Sequence, residues 1–463
     1  MTRIRSFVRI AAVASLAAVL ALPVFAQRGK ADFTMFVAIG DSYGAGFSSG
    51  SLNERHQPYG WPAIVAKQAG LHLCPTNAAI TDHCFAVPFI SYPGIPPELI
   101  LTLAGPTSGT GQGAPLMSGF GRPYNNLAVP GYTIGAALAL TGSEANSGLG
   151  QVILRGLGSE VDQAIRLNPT FIGVWIGGND FLGAVSQGKP SLLTSTDAFR
   201  TQYNGMLDKL IAAAPNAGMV VGSLPANFLS APLTSALPAV VFDANLQPVI
   251  IGGGTVPLIG DLGGGTVGPL PAGSIVLLSA IPAIQSGVGI PPALKSFPPF
   301  NQMPNVGTPL SDAQVILPAE RTQFEARIAE FNQVITQAAQ TRSIPVADIK
   351  GLFDRFAATS GVAIGPFLLT HQYVRGGLFS LDGVHPTDIG YALFANEFIK
   401  AINSAYGTRI PLASVSQFLQ NNDPATAKVM GLTFDEAVAQ QMIQIFNSAT
   451  VTPAPPRRLK ASH

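Results

Sequence analysis

Two short segments at opposite ends of the chain carry the residue types that ester hydrolysis needs. Near the start, "FVAIGDSYGAGFSSG" runs from Phe36 to Gly50 and sets Ser42 behind Gly40 and Asp41. Near the end, "FSLDGVHPTDIGY" places Asp382 and His385 three residues apart. A hydroxyl attacking an ester carbonyl must lose its proton, and neutral imidazole is the usual acceptor near pH 7. A carboxylate then orients that imidazole and stabilises its protonated form. Ser42, His385 and Asp382 supply these three roles. Asp41 is the poorer acid, because a neighbour of the nucleophile on one strand end points elsewhere. His371, in "LLTHQYVRGG", is a rival base with no carboxylate beside it.

The tetrahedral intermediate also needs donors aimed at its oxyanion. Three are on offer: the backbone N–H of Ser42, that of Gly131 in "NNLAVPG", and the side-chain amide of Asn179 in "TFIGVWIGGND". Gly131 suits the role because no Cβ blocks close approach. Asp180 is expected to brace its turn, and Asp348, closing "IPVADI", to be structural. Each motif alone has an ordinary reading. Gly-Asp-Ser is a common turn, Gly-Gly-Asn-Asp fits an Asx-turn, and Asp-Gly-Val-His-Pro fits a helix entry. Gly44 and Gly46 are read as keeping the surroundings of Ser42 open. His56, Tyr59 and Trp61 in "HQPYGWPAI" are either an acyl-pocket wall or packing of the first helix, with packing favoured.

The elements that must position these residues alternate. "FTMFVAIG", "NNLAVPG", "TFIGVWIGGND", "GMVVGSLP" and "IPVADI" read as strands. Helical stretches lie between them: "GWPAIVAKQAG", "GYTIGAALALTG", "GLGSEVDQAIRLNP", "STDAFRTQYNGMLDKLIAAAP", "PAERTQFEARIAEFNQVITQAAQTR" and "PTDIGYALFANEFIKAINSAYG". Such alternation predicts parallel βαβ units in an α/β sandwich. In an open parallel sheet ligands bind at the carboxyl ends of strands, where Ser42, Gly131 and Asn179 fall.

This set resembles the GDSL or SGNH hydrolases, a family of secreted esterases and lipases. The first block is matched by Gly40-Asp41-Ser42, the second by Gly131, the third by Gly177-Gly178-Asn179-Asp180 and the last by Asp382-Gly383-Val384-His385. All four occur in the family's order, and the resemblance spans about Phe33 to Gly407 with the insertion at about 226–318 left out. It implies a flavodoxin-like three-layer α/β/α fold around a central parallel sheet. It also implies a small-molecule or lipid ester as substrate, with no metal and no cofactor. Tyr43 stands where the motif's name has leucine, a position expected not to touch the chemistry.

Composition narrows the alternatives. Of the 463 residues 47% are hydrophobic and 11% charged, and the net charge is +1. That supports a sizeable core and shows no basic stripe of the kind a nucleic-acid partner requires. The 50 glycines and 38 prolines point to many loops rather than a helical bundle. "MTRIRSFVR", the apolar run "IAAVASLAAVLALPV" and "VFAQ" read as a signal peptide over residues 1–26. The alternative, a membrane anchor, is disfavoured by the shortness of the run. A secreted or periplasmic protein with no integral span after cleavage is expected. Cys74 and Cys84 are then expected to form a disulfide, stabilising by about 2–3 kcal/mol. Zinc, suggested by the neighbouring His72 and His83, fits no common ligand spacing.

Residues 27–410 form the expected catalytic domain, and 411–463 a helical extension with a disordered tail. Within the domain, about 226–318 breaks the α/β rhythm. Its centre, "IIGGGTVPLIGDLGGGTVGPLPAG", predicts an insertion of β-hairpins and loops, either a lid or a decoration. Alternative functions are a carbohydrate O-acetyl esterase or lysophospholipase on the same fold, or a non-catalytic surface protein. The oligomeric state is not encoded in any motif.

Overall fold

Phe36–Ile39 is apolar without alternation, the pattern of a strand buried on both faces. It forms the first strand, β1 (Phe36–Gly40), and every residue in it is buried. The computed structural model describes residues 27–102, 105–145, 147–225, 237–243, 247–358, 361–364, 367–370 and 376–420. The predicted signal segment and the segment "TFDEAVAQQMIQIFNS", expected to form a C-terminal helix, lie outside these residues, as does His371.

Four strands make the central sheet: β1, β2 (Phe171–Trp175), β3 (Gly218–Gly222) and a short edge strand at Val346–Ala347. All are parallel, with Phe36 opposite Phe171, Phe171 opposite Gly218 and Val221 opposite Val346. On the free side of β1, Asn126 adds a parallel bridge to Ala38, and the Leu127 and Val129 N–H groups donate to Ala38 and Gly40. The segment "NNLAV" is therefore the outer neighbour of β1. The chain order thus reverses between β1 and β2, the crevice where open α/β sheets bind ligands.

Helices cover both faces. On one lie α2 (Trp61–Gln68) and the last long helix (Asp388–Tyr406), which pack against each other. The rings of Trp61 and Phe398 stack there at 3.9 Å. Gly173 in β2 makes room, since a Cβ there would lie 2.8 Å from the Trp61 ring. On the other face are α3 (Ile134–Ala139), α4 (Glu160–Arg166), α6 (Thr196–Ala213) and α7 (Pro318–Gln340). The helical spacing of Phe199, Tyr203, Met206, Leu207 and Leu210 puts all five inside. Phe199 stacks on Phe331 of α7 at 3.9 Å. The short helices α1 (Ser42–Ala45) and α5 (Asn179–Val185) follow the ends of β1 and β2 across short turns, Asp41 in the first case and Ile176 to Gly178 in the second.

The Gly/Pro-rich region contains short antiparallel pairs. Leu237–Pro238, Ile275–Val276 and Val315–Ile316 make a three-stranded sheet, and hairpins pair Ile250–Ile251 with Gly254–Thr255 and Ile259–Asp261 with Val267–Pro269. The three-stranded sheet is a shared wall. Ile275 and Ile316 belong to the main core, while Val276 and Val315 face a second core with Leu258, Phe300 and Leu310. Alternation along a strand produces that division. Past the last helix, Ala413 and Phe418 return to the main core.

Candidate active site

The turn after β1 needs its sequence. Asp41 caps α1 by accepting from the Tyr43 N–H at 3.1 Å, and Gly46, at φ +80°, closes that single turn. Ser42 therefore begins α1. Among the described residues its N–H donates to no protein acceptor, as expected of a first-turn donor. Gly44 and Gly46 do not open the surface, contrary to expectation. Gly44 is buried, and a Cβ on it would come within 2.6 Å of the Ala128 side chain. These glycines allow the turn and its close packing against the neighbouring strand end.

Asp382 and His385 meet through an Asx-type turn. Asp382 Oδ1 accepts from the Val384 N–H at 2.9 Å and the His385 N–H at 2.8 Å. That leaves Oδ2 facing the ring, 2.8 Å from His385 Nδ1. The spacing of three residues is what lets one carboxylate hold both the backbone and the ring of the same histidine. On the far side, His385 Nε2 lies 2.8 Å from Ser42 Oγ. Gly50 adds an N–H to Asp382 Oδ2 at 2.7 Å. Burial pushes the Asp382 carboxyl up, but the charge of His385 and these donors outweigh it and hold the group below its ordinary value.

Ser42, His385 and Asp382 thus stand in one hydrogen-bonded row. Gly131 has φ +85°, a left-handed conformation that favours glycine, and a Cβ there would meet nothing within 4 Å. Its backbone conformation explains the residue, since the protein leaves the space before it open. Asn179 donates through Nδ2 to the Tyr132 carbonyl at 3.0 Å, which fixes the amide beside Gly131. Asp180 braces the same loop: Oδ2 accepts from the Ile134 N–H and Oδ1 from the Thr194 hydroxyl, both at 3.0 Å. Asp348 accepts from the Gly351 N–H at 2.9 Å, a local structural contact. Asp41 stays with its cap, and burial, only partly offset by the Tyr43 N–H and by His385, pushes its carboxyl up to about 7.

Three contributors have no sequence signal of their own. Tyr43 does bear on the site: its hydroxyl donates to the Val384 carbonyl at 2.9 Å, and its ring stacks on Trp175 and edges His385. Phe47 lies 4.7 Å from the His385 ring, centroid to centroid. Glu160 is fully buried beneath the strand ends, where Oε2 accepts from the Gly40 N–H at 3.0 Å. Burial, reinforced by nearby Asp41, pushes its carboxyl well above the usual range. An acid in the first turn of a helix reads as a surface residue, so its burial becomes visible only in the fold. Trp61 and His56 are core residues rather than pocket wall. Cys74 and Cys84 form the expected disulfide, which leaves no thiolate for zinc. Among the described residues no helix is long and apolar enough to cross a membrane.

The sequence profile of the family described as GDSL-like Lipase/Acylhydrolase matches residues 36–398, from the start of β1 into the last long helix. This chain belongs to that family. It is a carboxylic ester hydrolase, and small esters are its substrates in the broad sense. Similar solved structures include the family 3 carbohydrate esterase of Clostridium thermocellum, at 13% identity over 80% of this chain and 96% of that one, TM-score 0.32. Another is the extracellular lipase of Streptomyces rimosus, at 14% identity over 80% and 98%, TM-score 0.33. Likenesses at that level do not bear on the substrate of this hydrolase. No curated protein matches the chain.

Proposed function

We propose that this family member is an exported serine esterase whose nucleophile is Ser42, with His385 as base and Asp382 as its orienting carboxylate. The observation that carries the reading is the row of two contacts, Ser42 Oγ to His385 Nε2 and His385 Nδ1 to Asp382 Oδ2, each 2.8 Å. His385 Nε2 takes the Ser42 proton as Oγ bonds to the ester carbonyl carbon. The oxyanion that forms accepts from the N–H groups of Ser42 and Gly131 and the amide of Asn179. Collapse breaks the bond to the alkoxy group, which leaves as the alcohol with the proton from His385. Water, deprotonated by the same imidazole, then releases the acid and restores Ser42. Asp382 remains ionised throughout, in keeping with its depressed pKa.

Export rests on the basic, apolar and small-residue pattern of residues 1–26 and is supported by the Cys74–Cys84 disulfide. The corresponding partition is a signal over 1–26, a catalytic domain over 27–410 interrupted at about 226–318, and an extension over 411–463. The test is hydrolysis of p-nitrophenyl esters from acetate to palmitate by wild type and Ser42→Ala. A fall in kcat on the order of 10⁶-fold in the variant, with folding intact, is expected. Wild-type turnover by Ser42→Ala would refute the reading, and the chain-length optimum separates a short-acyl esterase from a lipase.

A further inference from the structure

A second row of titratable side chains lies behind the first. His56 Nδ1 is 2.9 Å from Asp388 Oδ1, and His56 Nε2 is 3.2 Å from Glu98 Oε1. All three residues are buried, with 4%, 1% and 7% of their surfaces exposed for His56, Asp388 and Glu98. At that burial water cannot replace a lost partner. Glu98 is held from its other side by Asn53 Nδ2, which donates to Oε2 at 3.1 Å. The three come from distant parts of the chain, so the bridge joins segments far apart in the sequence.

The place where the bridge ends matters most. Asp388 is the first residue of the last long helix, and His385 lies three residues before it, across Pro386 and the capping Thr387. Upstream of His56, residues 48–50 grip the other end of the same loop. The Ser48 hydroxyl donates to the Pro386 carbonyl at 3.1 Å, and the Ser49 N–H to the Ser380 hydroxyl at 2.8 Å. Ser49 and Gly50 both have positive φ in a two-residue turn, which aims the Gly50 N–H at Asp382. One N-terminal segment thus holds the loop from 380 to 388 along its length, and His56 supplies the far anchor.

We propose that the Glu98–His56–Asp388 bridge is a positioning clamp for His385, fixing the first turn of the last helix and so the distance from the imidazole to Ser42. The proposal rests on the assignment of Ser42, Asp382 and His385 as the reacting set. None of the clamp residues reaches the substrate; they act through the loop. Loss of the clamp should lower the rate of the chemical step and leave ester binding almost untouched.

The test compares His56→Ala, Asp388→Ala and Asp388→Asn in the full-length enzyme, with Phe331→Leu as a variant destabilised elsewhere. Both alanine variants should lose about 10- to 100-fold in kcat on p-nitrophenyl acetate while KM stays within about twofold. Fluorophosphonate labelling of Ser42 should slow by a similar factor. Asp388→Asn keeps an acceptor for His56 and should recover most of the rate, and Phe331→Leu should keep kcat. If the alanine variants do not fold, His56→Gln decides: its amide donates from a single nitrogen and lacks the two opposed ring nitrogens of the bridge, and a kcat loss of about fivefold or more is expected. Unchanged kcat in folded His56 variants, or an equal loss in Phe331→Leu, overturns the clamp. Hydrolysis surviving in Ser42→Ala would instead remove the assignment beneath it, so the two failures are distinguishable.

Discussion

The core around the parallel sheet is assembled from long elements, whereas the core of the Gly/Pro-rich region is assembled from loops, short helical turns and strands of two or three residues. In the first, α7 runs for 23 residues and contributes Phe324, Ile328, Phe331 and Ile335 from one face. In the second, Leu258 and Leu310 come from separate loop segments and Phe300 from a short helical turn. Long periodic elements fix their own register, while very short strands take theirs from whatever they pair with. The two cores touch the site differently. Strand ends of the first present Ser42, Gly131 and Asn179. The second includes Leu381, the residue immediately before Asp382.

That contrast sets the expected outcomes. Phe331→Ala empties a stacked position between α6 and α7 and should cost about 3–5 kcal/mol, lowering the global melting transition. Asn179→Ala, at a strand end of the same core, should reduce kcat about 10²–10³-fold, with calorimetry showing little change in melting. Leu310→Ala in the second core should cost about 2–5 kcal/mol, toward the lower end because short strands relax around the cavity. Hydrogen exchange should place that loss in residues 247–316, with β1 and β2 still protected. Equal deprotection of β1 would mean that the two cores unfold as one.

The smallest effect comes from Asp41. Its carboxyl is pushed up from 3.8 to about 7, so the folded protein holds this proton more tightly than the unfolded chain. The resulting stabilisation is complete below about pH 4 and is lost as pH rises toward 7. Asp41→Asn, still able to cap α1, has no such proton. Between pH 5 and 8 its melting temperature should fall by about 2–4 °C less than that of wild type. An identical fall in both proteins would assign the pH dependence to other groups.

What could be read in the sequence follows the same division. β1, β2 and β3 announce themselves as apolar runs, and α6 by its spacing of Phe199, Tyr203, Met206 and Leu207. Asp382 and His385 are legible because an Asx turn is local, so their spacing carries their geometry. Partnerships across long sequence distances leave no such trace. Glu160 meets Gly40 across 120 residues, and His56 meets Asp388 across 332. Tyr43, at a position expected not to touch the chemistry, has a structural part that no motif announces: its hydroxyl ties α1 to the loop bearing His385. The pairing of Ile275–Val276 with both Leu237–Pro238 and Val315–Ile316 is likewise a property of the fold, since strands this short carry too little pattern to specify a partner.

The most direct measurement is fluorophosphonate labelling followed by peptide mapping of wild type, Ser42→Ala and His385→Ala. A single adduct on Ser42, absent from Ser42→Ala and much slower to form in His385→Ala, is the predicted result. An adduct on another serine, or labelling of Ser42 at an undiminished rate without His385, would contradict the assignment of the row from Ser42 through His385 to Asp382.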